Sequence, residues 1–206
     1  MAELIRREPI EWFEMWVEDA DEEKLPRLLL IGDSITKSYY DRVSKGLAGK
    51  LSCAKLATSR CIGDPVLLDE LSQLLKQYSF SIIQFNNGLH GMDNPDDLYR
   101  ENFPKVIAHT RSLAPAAILI WATTTPWRCG GKDQGLHPNN NRVVLRNQIA
   151  HEFVEAQGIP INDLYKLLIG HPEYHSEDGV HLVDAGMQLA ADKTVALIRK
   201  LLSEHQ

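Results

Sequence analysis

One short stretch constrains this chain more than any other: Leu28-Leu29-Leu30-Ile31, four apolar residues in a row, ending abruptly in Gly32-Asp33-Ser34. An apolar run of this length, with no polar alternation, reads as a strand buried on both faces, as in a parallel sheet covered by helices on either side. Gly32 breaks the strand and leaves Asp33 and Ser34 at its carboxyl end, the place where open α/β sheets bind their ligands. The same three residues also make an ordinary turn followed by a helix cap. What Ser34 does therefore depends on what the remainder of the chain brings to it.

The pattern recurs along the chain. Further short strands are expected at residues 52–56, 80–85, 116–123 and 159–161, each followed by a polar loop and a helical pattern. Helices are expected at about residues 37–48, 66–78, 95–113, 142–157, 163–169 and 184–202, with Asp64 and Pro65 as cap and first turn of the second. Pro104 lies inside the third and should kink it. Upstream, residues 10–20 place Trp12, Phe13, Trp16 and Val17 on one helical face and acids on the other, which predicts an amphipathic helix. Five strands alternating with helices predict a three-layer α/β/α sandwich, flavodoxin-like, with a central five-stranded parallel sheet. Residues 1–25 would add the N-terminal helix, packed on a body formed by residues 26–206.

Composition narrows the function. A hydrophobic content of 44% and a charged content of 24% are those of a soluble globular protein, and no apolar run is long enough to span a bilayer. The opening residues lack the apolar core of a signal peptide, so a cytoplasmic location is expected, and three scattered cysteines (Cys53, Cys61, Cys129) fit a reducing compartment. A net charge of −6 with no Lys/Arg block argues against nucleic acid as a partner. The eight histidines fall into no Cys-x-x-Cys or His-Glu-x-x-His pattern, so no metal site and no cofactor are expected.

Residues of catalytic type stand where strands end. Ser34 follows the first expected strand, Gly63 the second, Asn86 and Asn87 the third, and Asp178 and His181 follow the fifth. A parallel sheet gathers such positions on one edge. Together they supply what acyl transfer needs: a nucleophile, a base, an acid to orient the base, and donors for an oxyanion. The Asp178-Gly179-Val180-His181 spacing lets a carboxylate hold the imidazole of its own segment, fixing the tautomer and leaving the second ring nitrogen to take a serine proton. No Gly-x-Ser-x-Gly elbow is present, which argues against an α/β-hydrolase arrangement.

On these blocks the sequence resembles the SGNH (GDSL-type) hydrolase superfamily over residues 26–202. Gly32-Asp33-Ser34-Ile35 matches the nucleophile block, Gly63-Asp64 the second block, and Asp178-Gly179-Val180-His181 the fifth. The third block departs from the family's Gly-x-Asn-Asp. Asn86 falls at the oxyanion asparagine, Asn87 replaces the aspartate, and Phe85 replaces a glycine, with Asn87 as second candidate if the alignment shifts by one. The resemblance implies Ser34 as nucleophile, His181 as base and Asp178 as its support. It implies an oxyanion hole from the Ser34 and Gly63 N–H groups and the Asn86 amide. Asp33, Arg60, His90, Trp127 and Arg128 stand in the same loops and are the candidate substrate contacts, Trp127 as a flat face and Arg128 as a hydrogen-bonding fork. The expected partner is a small ester, such as an acetyl group on a carbohydrate. A thioesterase or lysophospholipase activity, a non-catalytic ligand-binding module on the same fold, and a metal-dependent hydrolase using His137, His171, His175 or His181 are the competing expectations.

Overall fold

The computed structural model describes residues 5–131 and 135–204. Six strands form one sheet in the order β1-β3-β2-β4-β5-β6, with β1 Phe13–Val17, β2 Arg27–Gly32, β3 Ser52–Thr58, β4 Ile82–Phe85, β5 Ile118–Ala122 and β6 Ile161–Asn162. The pairs β2–β3, β2–β4, β4–β5 and β5–β6 are parallel. The helices are α1 Ser34–Leu47, α2 Pro65–Leu75, α3 Asp96–Leu113, α4 Asn140–Ala156, α5 Leu164–Leu168 and α6 Asp184–Glu204. This is the three-layer, flavodoxin-like arrangement, with one strand more than the sequence pattern announced.

The apolar run in β2 divides its side chains between the two faces of the sheet. Leu29 and Ile31 join one cluster, with leucines of α2 and Tyr99, Phe103 and Val106 of α3. Leu28 and Leu30 join the other, with Tyr39 and Val43 of α1 and Ala190 and Ile198 of α6. All four β2 residues are essentially inaccessible to water, so neither face tolerates a polar residue, and this accounts for the missing alternation. The chain leaves β2 for β3 on one side and then returns to β4 on the other. The order therefore reverses at β2, and a crevice opens outside its carboxyl end. Ser34 follows immediately.

The N-terminal segment corrects the sequence expectation. Residues 13–17 form an edge strand, not a helix, and run antiparallel to β3 from Phe13↔Thr58 to Val17↔Ala54. Met15 and Val17 pack against the core. On the opposite face Glu14 pairs with Lys55 at 2.8 Å and with Lys37. A short run rich in aromatic and β-branched residues is compatible with either period, and the open edge of β3 supplied the hydrogen-bond partners that decided it. The described residues of this segment, 5–25, are accordingly no appended helix, since β1 is part of the sheet, and residues 1–4 lie outside the described residues. Pro104 does lie within α3, which runs unbroken from Asp96 to Leu113. No described helix is long and apolar enough to cross a membrane.

Phe103 is the hub of the first cluster: fully buried, edge-on to Trp121 at 4.8 Å and Phe153 at 5.8 Å, and stacked on Tyr99 at 5.7 Å. Phe103→Ala should lower the unfolding free energy by about 3–5 kcal/mol, read as a shift of the urea midpoint with an unchanged denaturant slope.

Candidate active site

Ser34 is the first residue of α1, and Asp33 caps that helix by accepting the Ile35 N–H at 2.9 Å. As a first-turn residue Ser34 has a main-chain N–H without an intrahelical partner, at the positive end of the helix dipole. Gly32 is needed just before it, because a Cβ there would lie 2.1 Å from the Thr36 hydroxyl. The strand therefore turns into the helix with no room to spare, and the Ser34 side chain is carried outward.

His181 reaches Ser34 from a distant loop. The Ser34 Oγ lies 2.9 Å from His181 Nε2, and His181 Nδ1 lies 2.6 Å from Asp178 Oδ2. Asp178 also accepts from the Val180 N–H at 2.8 Å, the His181 N–H at 2.9 Å and the Ser176 hydroxyl at 2.7 Å. Burial by itself would raise the Asp178 carboxyl, but the His181 imidazole and these donors outweigh it and hold the group well below the usual carboxylate range. An ionised carboxylate only accepts, so Nδ1 carries the proton and Nε2 presents its lone pair to the Ser34 hydroxyl. The geometry can extract a proton from Ser34. About half of the His181 and Asp178 side chains is open to solvent (48% and 51%), which makes the centre shallow.

Two glycines let a neighbouring loop brace this segment. Gly179 has φ +75° and a Cβ would fall 2.2 Å from the Arg128 carbonyl oxygen, while a Cβ on Gly130, at φ +80°, would fall 2.4 Å from the Glu177 carbonyl oxygen. Main-chain bonds from the Arg128 N–H to Gly179 (2.8 Å) and from the Gly131 N–H to Glu177 (2.7 Å) tie the loops together.

The expected oxyanion donors gather at the ends of β3 and β4. Gly63 lies in a turn closed by the Asp64 N–H on the Cys61 carbonyl at 3.0 Å, and Asp64 caps α2. A Cβ on Gly63 would run into Leu98 at 2.5 Å. Burial pushes the Cys61 thiol up, and the Gly63 and Asp64 amides offset only part of that. Asn86 and Asn87 point in opposite directions, as consecutive residues leaving a strand must. The Asn86 amide donates to the Ala122 carbonyl at 2.8 Å, with a long 3.5 Å contact to Thr124, toward β5. The Asn87 amide donates to the Arg60 carbonyl at 2.8 Å, in the loop that carries Gly63.

The expected substrate contacts fare differently. Arg128 is buried, its guanidinium donating to the Ile169 carbonyl inside the loop framework, so its place is structural. Arg60 is held among Glu11, Asp64 and Glu70 at 3.3–3.4 Å, and Asp33 is a buried helix cap. Neither is free to meet a substrate in this arrangement. His90 binds Glu8 through Nδ1 at 2.8 Å and meets the edge of Trp12. Trp127 is half-buried and stacks on His137, ring centroids 4.7 Å apart.

Sequence reasoning missed the frame around these loops. From α4, Arg146 donates to the carbonyls of Gly88 (3.0 Å), His90 (2.8 Å) and Gly91 (2.9 Å), and both Arg142 and Arg146 pair with Asp96. Burial lowers Arg146, countered in part by Asp96. The signal available was two arginines four apart on one helix, which solvent-facing pairs also show. Among the described residues, no group of three or more His, Cys, Asp or Glu is placed to hold a metal ion. A groove of about 720 Å³ lined by Ile5, Arg6, Asp93, Asp96, Leu98 and Arg142, among others, includes none of Ser34, Asp178 and His181 in its walls.

No protein-family model and no curated protein matches the sequence. Solved structures do match its fold. A carbohydrate esterase family 3 protein from Talaromyces cellulolyticus superposes with a TM-score of 0.70 at 14% identity, over 87% of this chain and 99% of that one. An acetylxylan esterase from Geobacillus stearothermophilus gives 0.67 at 16% identity, over 84% and 94%. A GDSL-like lipase from Bacteroides thetaiotaomicron gives 0.65 at 14% identity, over 87% and 89%. The chain thus shares the fold of these esterases and this lipase.

The depressed Asp178 carboxyl has a consequence for stability. Its folded-state affinity for protons is below the unfolded value of about 3.9, so its contribution is complete above that pH and is lost as pH falls below it. The stability difference between wild type and Asp178→Asn should therefore be present at about pH 5 and shrink as pH falls below about 4. Urea midpoints measured across that range check it. Because the side chain is half exposed, the difference should be small.

Proposed function

We propose that this protein is a serine esterase that hydrolyses a carboxylic ester through an acyl-enzyme. The observation that carries the reading is the continuous hydrogen-bond chain Ser34 Oγ to His181 Nε2 to Asp178, at 2.9 and 2.6 Å. Its members come from segments 147 residues apart in sequence, and a helix cap has no need of such a partner.

Ser34 Oγ attacks the ester carbonyl while its proton passes to His181 Nε2. Asp178 stabilises the imidazolium through Nδ1. The negative charge on the carbonyl oxygen is met by the N–H groups of Ser34 and Gly63 and by the Asn86 amide, which must turn from Ala122 to do so. The tetrahedral intermediate collapses, His181 gives its proton to the leaving alcohol, and the acyl group stays on Ser34. Water then attacks the acyl-enzyme, losing a proton to His181, and Ser34 is regenerated as the free acid departs. The chain's own residues suffice for each of these steps.

The acyl group is short and the alcohol is a carbohydrate or another small polar molecule. The shallow centre supports this, with about half of the His181 and Asp178 side chains open to solvent. Trp127 offers a flat face at the rim for a sugar ring. The acetylxylan esterase of like fold is consistent with the same chemistry.

Ser34→Ala and His181→Ala should each lower kcat on p-nitrophenyl acetate by several orders of magnitude with an unchanged urea midpoint. Asn86→Ala should lower it by about 10²–10³. The same loss in Asn87→Ala, with Asn86→Ala near wild type, assigns the third donor to Asn87. Turnover surviving Ser34→Ala sinks the mechanism, and specific binding of acetylated sugars without turnover supports a ligand-binding module. Better cleavage of acyl-CoA or long-chain esters than of acetyl esters reverses the substrate assignment.

A further inference from the structure

The segment ahead of β1 crosses the surface as a strap, and nearly every polar contact it makes falls on two loops. The first follows β3 and contains Ser59, Arg60, Gly63 and Asp64. The second follows β4 and contains His90, Gly91 and Asn94. Arg7 grips Asp64 with two bonds, Nε to Oδ2 at 2.9 Å and the terminal nitrogen to Oδ1 at 3.2 Å. Asp64 is the residue next to Gly63, and its side chain is 1% exposed. Glu11 accepts from the Ser59 hydroxyl at 2.6 Å and pairs with Arg60 at 3.3 Å. On the second loop, Glu8 holds His90 Nδ1 at 2.8 Å. The Arg6 main chain pairs on both sides with the buried Asn94 amide, N–H to Oδ1 at 2.8 Å and C=O to Nδ2 at 2.9 Å. That arrangement copies a rung of a sheet ladder with a side chain in place of a strand.

The two loops have no ladder of their own, because β2 lies between β3 and β4 in the sheet. Besides the strap, the gap is spanned by the Asn87 amide on the Arg60 carbonyl at 2.8 Å and by a contact from the Asn94 amide to the Cys61 sulfur at 3.8 Å. Yet these loops carry, or directly continue from, the donors that must converge on one oxygen atom. A hydrogen-bond donor acts on a developing oxyanion only within a few tenths of an ångström of its ideal place, so the spacing of the loops matters to the chemistry.

We infer that the N-terminal strap, residues 5–12, is a positioning device for the oxyanion hole, with Arg7 and Glu8 setting the distance between the Gly63 loop and the Asn86–Asn87 loop. This rests on the serine-esterase reading above. The residues of the strap are positioning residues, since none of them touches the reacting atoms. The Arg7–Asp64 pair holds the turn at Gly63 from outside, and the Glu8–His90 pair holds the second loop against it. Arg7 is half exposed, whereas its partner is not, so the strap can be loosened without opening the core.

The test uses the full chain with Arg7→Ala, Arg7→Lys and Glu8→Gln, alongside Ser34→Ala. Amide hydrogen exchange should quicken at residues 59–64 and 88–94 in Arg7→Ala and Glu8→Gln, and stay as in wild type at residues 176–181. On p-nitrophenyl acetate, kcat should fall about tenfold, short of the 10²–10³ expected for outright loss of an oxyanion donor, with KM within about twofold of wild type. Arg7→Lys, which keeps the charge but not the fork, should recover part of the loss. Unchanged exchange in both loops overturns the inference whatever the activity does. So does quickened exchange with unaltered kcat in an enzyme whose turnover depends on Ser34. Failure of the esterase reading shows itself separately, as wild type no more active than Ser34→Ala, and it removes the catalytic role of the strap with it.

Discussion

The whole arrangement depends on the burial of one strand on both of its faces. Leu28 and Leu30 are locked into one hydrophobic cluster and Leu29 and Ile31 into the other, each contributing about 1.5–3 kcal/mol as water is excluded from it. A strand held on two sides cannot slip by one residue without exchanging the two sets of side chains. The end of β2 is thereby placed within narrow limits, and with it Gly32, the Asp33 cap and the Ser34 hydroxyl. The reversal of strand order at β2 then puts this end in the crevice between neighbouring loops, where a ligand can reach it.

Around that fixed point the loops are held mainly by polar contacts. Two arginines of α4 gather the carbonyls of the loop after β4, and glycines at 130 and 179 let the loop after β5 lie directly against the Asp178–His181 segment. Carbonyls turned inward would be costly if unpaired, and buried guanidinium groups are suited to satisfy several at once. The result is a rigid rim around an open centre. His181 and Asp178 stay half exposed while Arg128 and Gly179, where the two loops meet, are buried.

Much of this was legible beforehand. The parallel strands, the helices between them and the sites where the candidate catalytic residues stand follow from local periodicity and turn chemistry, which survive in any context. The N-terminal strand was not legible. Trp12, Phe13, Trp16 and Val17 satisfy a helical face, and only the vacant edge of β3 made the extended form the better one. Arg128 illustrates the same limit. An arginine in a polar loop reads as a fork for ligands, but here the loop folds inward and Ile169 takes up the guanidinium. Asn86 and Asn87 share one composition and differ by a single step along the strand. That step sends their amides to opposite neighbours, Ala122 and Arg60.

The sequence by itself determined the layered fold and singled out Ser34, Asp178 and His181 as candidates, because short apolar runs and an Asp-x-x-His turn are local patterns. The tertiary structure alone decided that Ser34 and His181 stand 2.9 Å apart, that residues 5–17 form a strap and an edge strand, and which loop arginines face inward. Those outcomes depend on which partner a group meets across the sheet. A hydrogen bond between segments 147 residues apart leaves no trace in the spacing of either one.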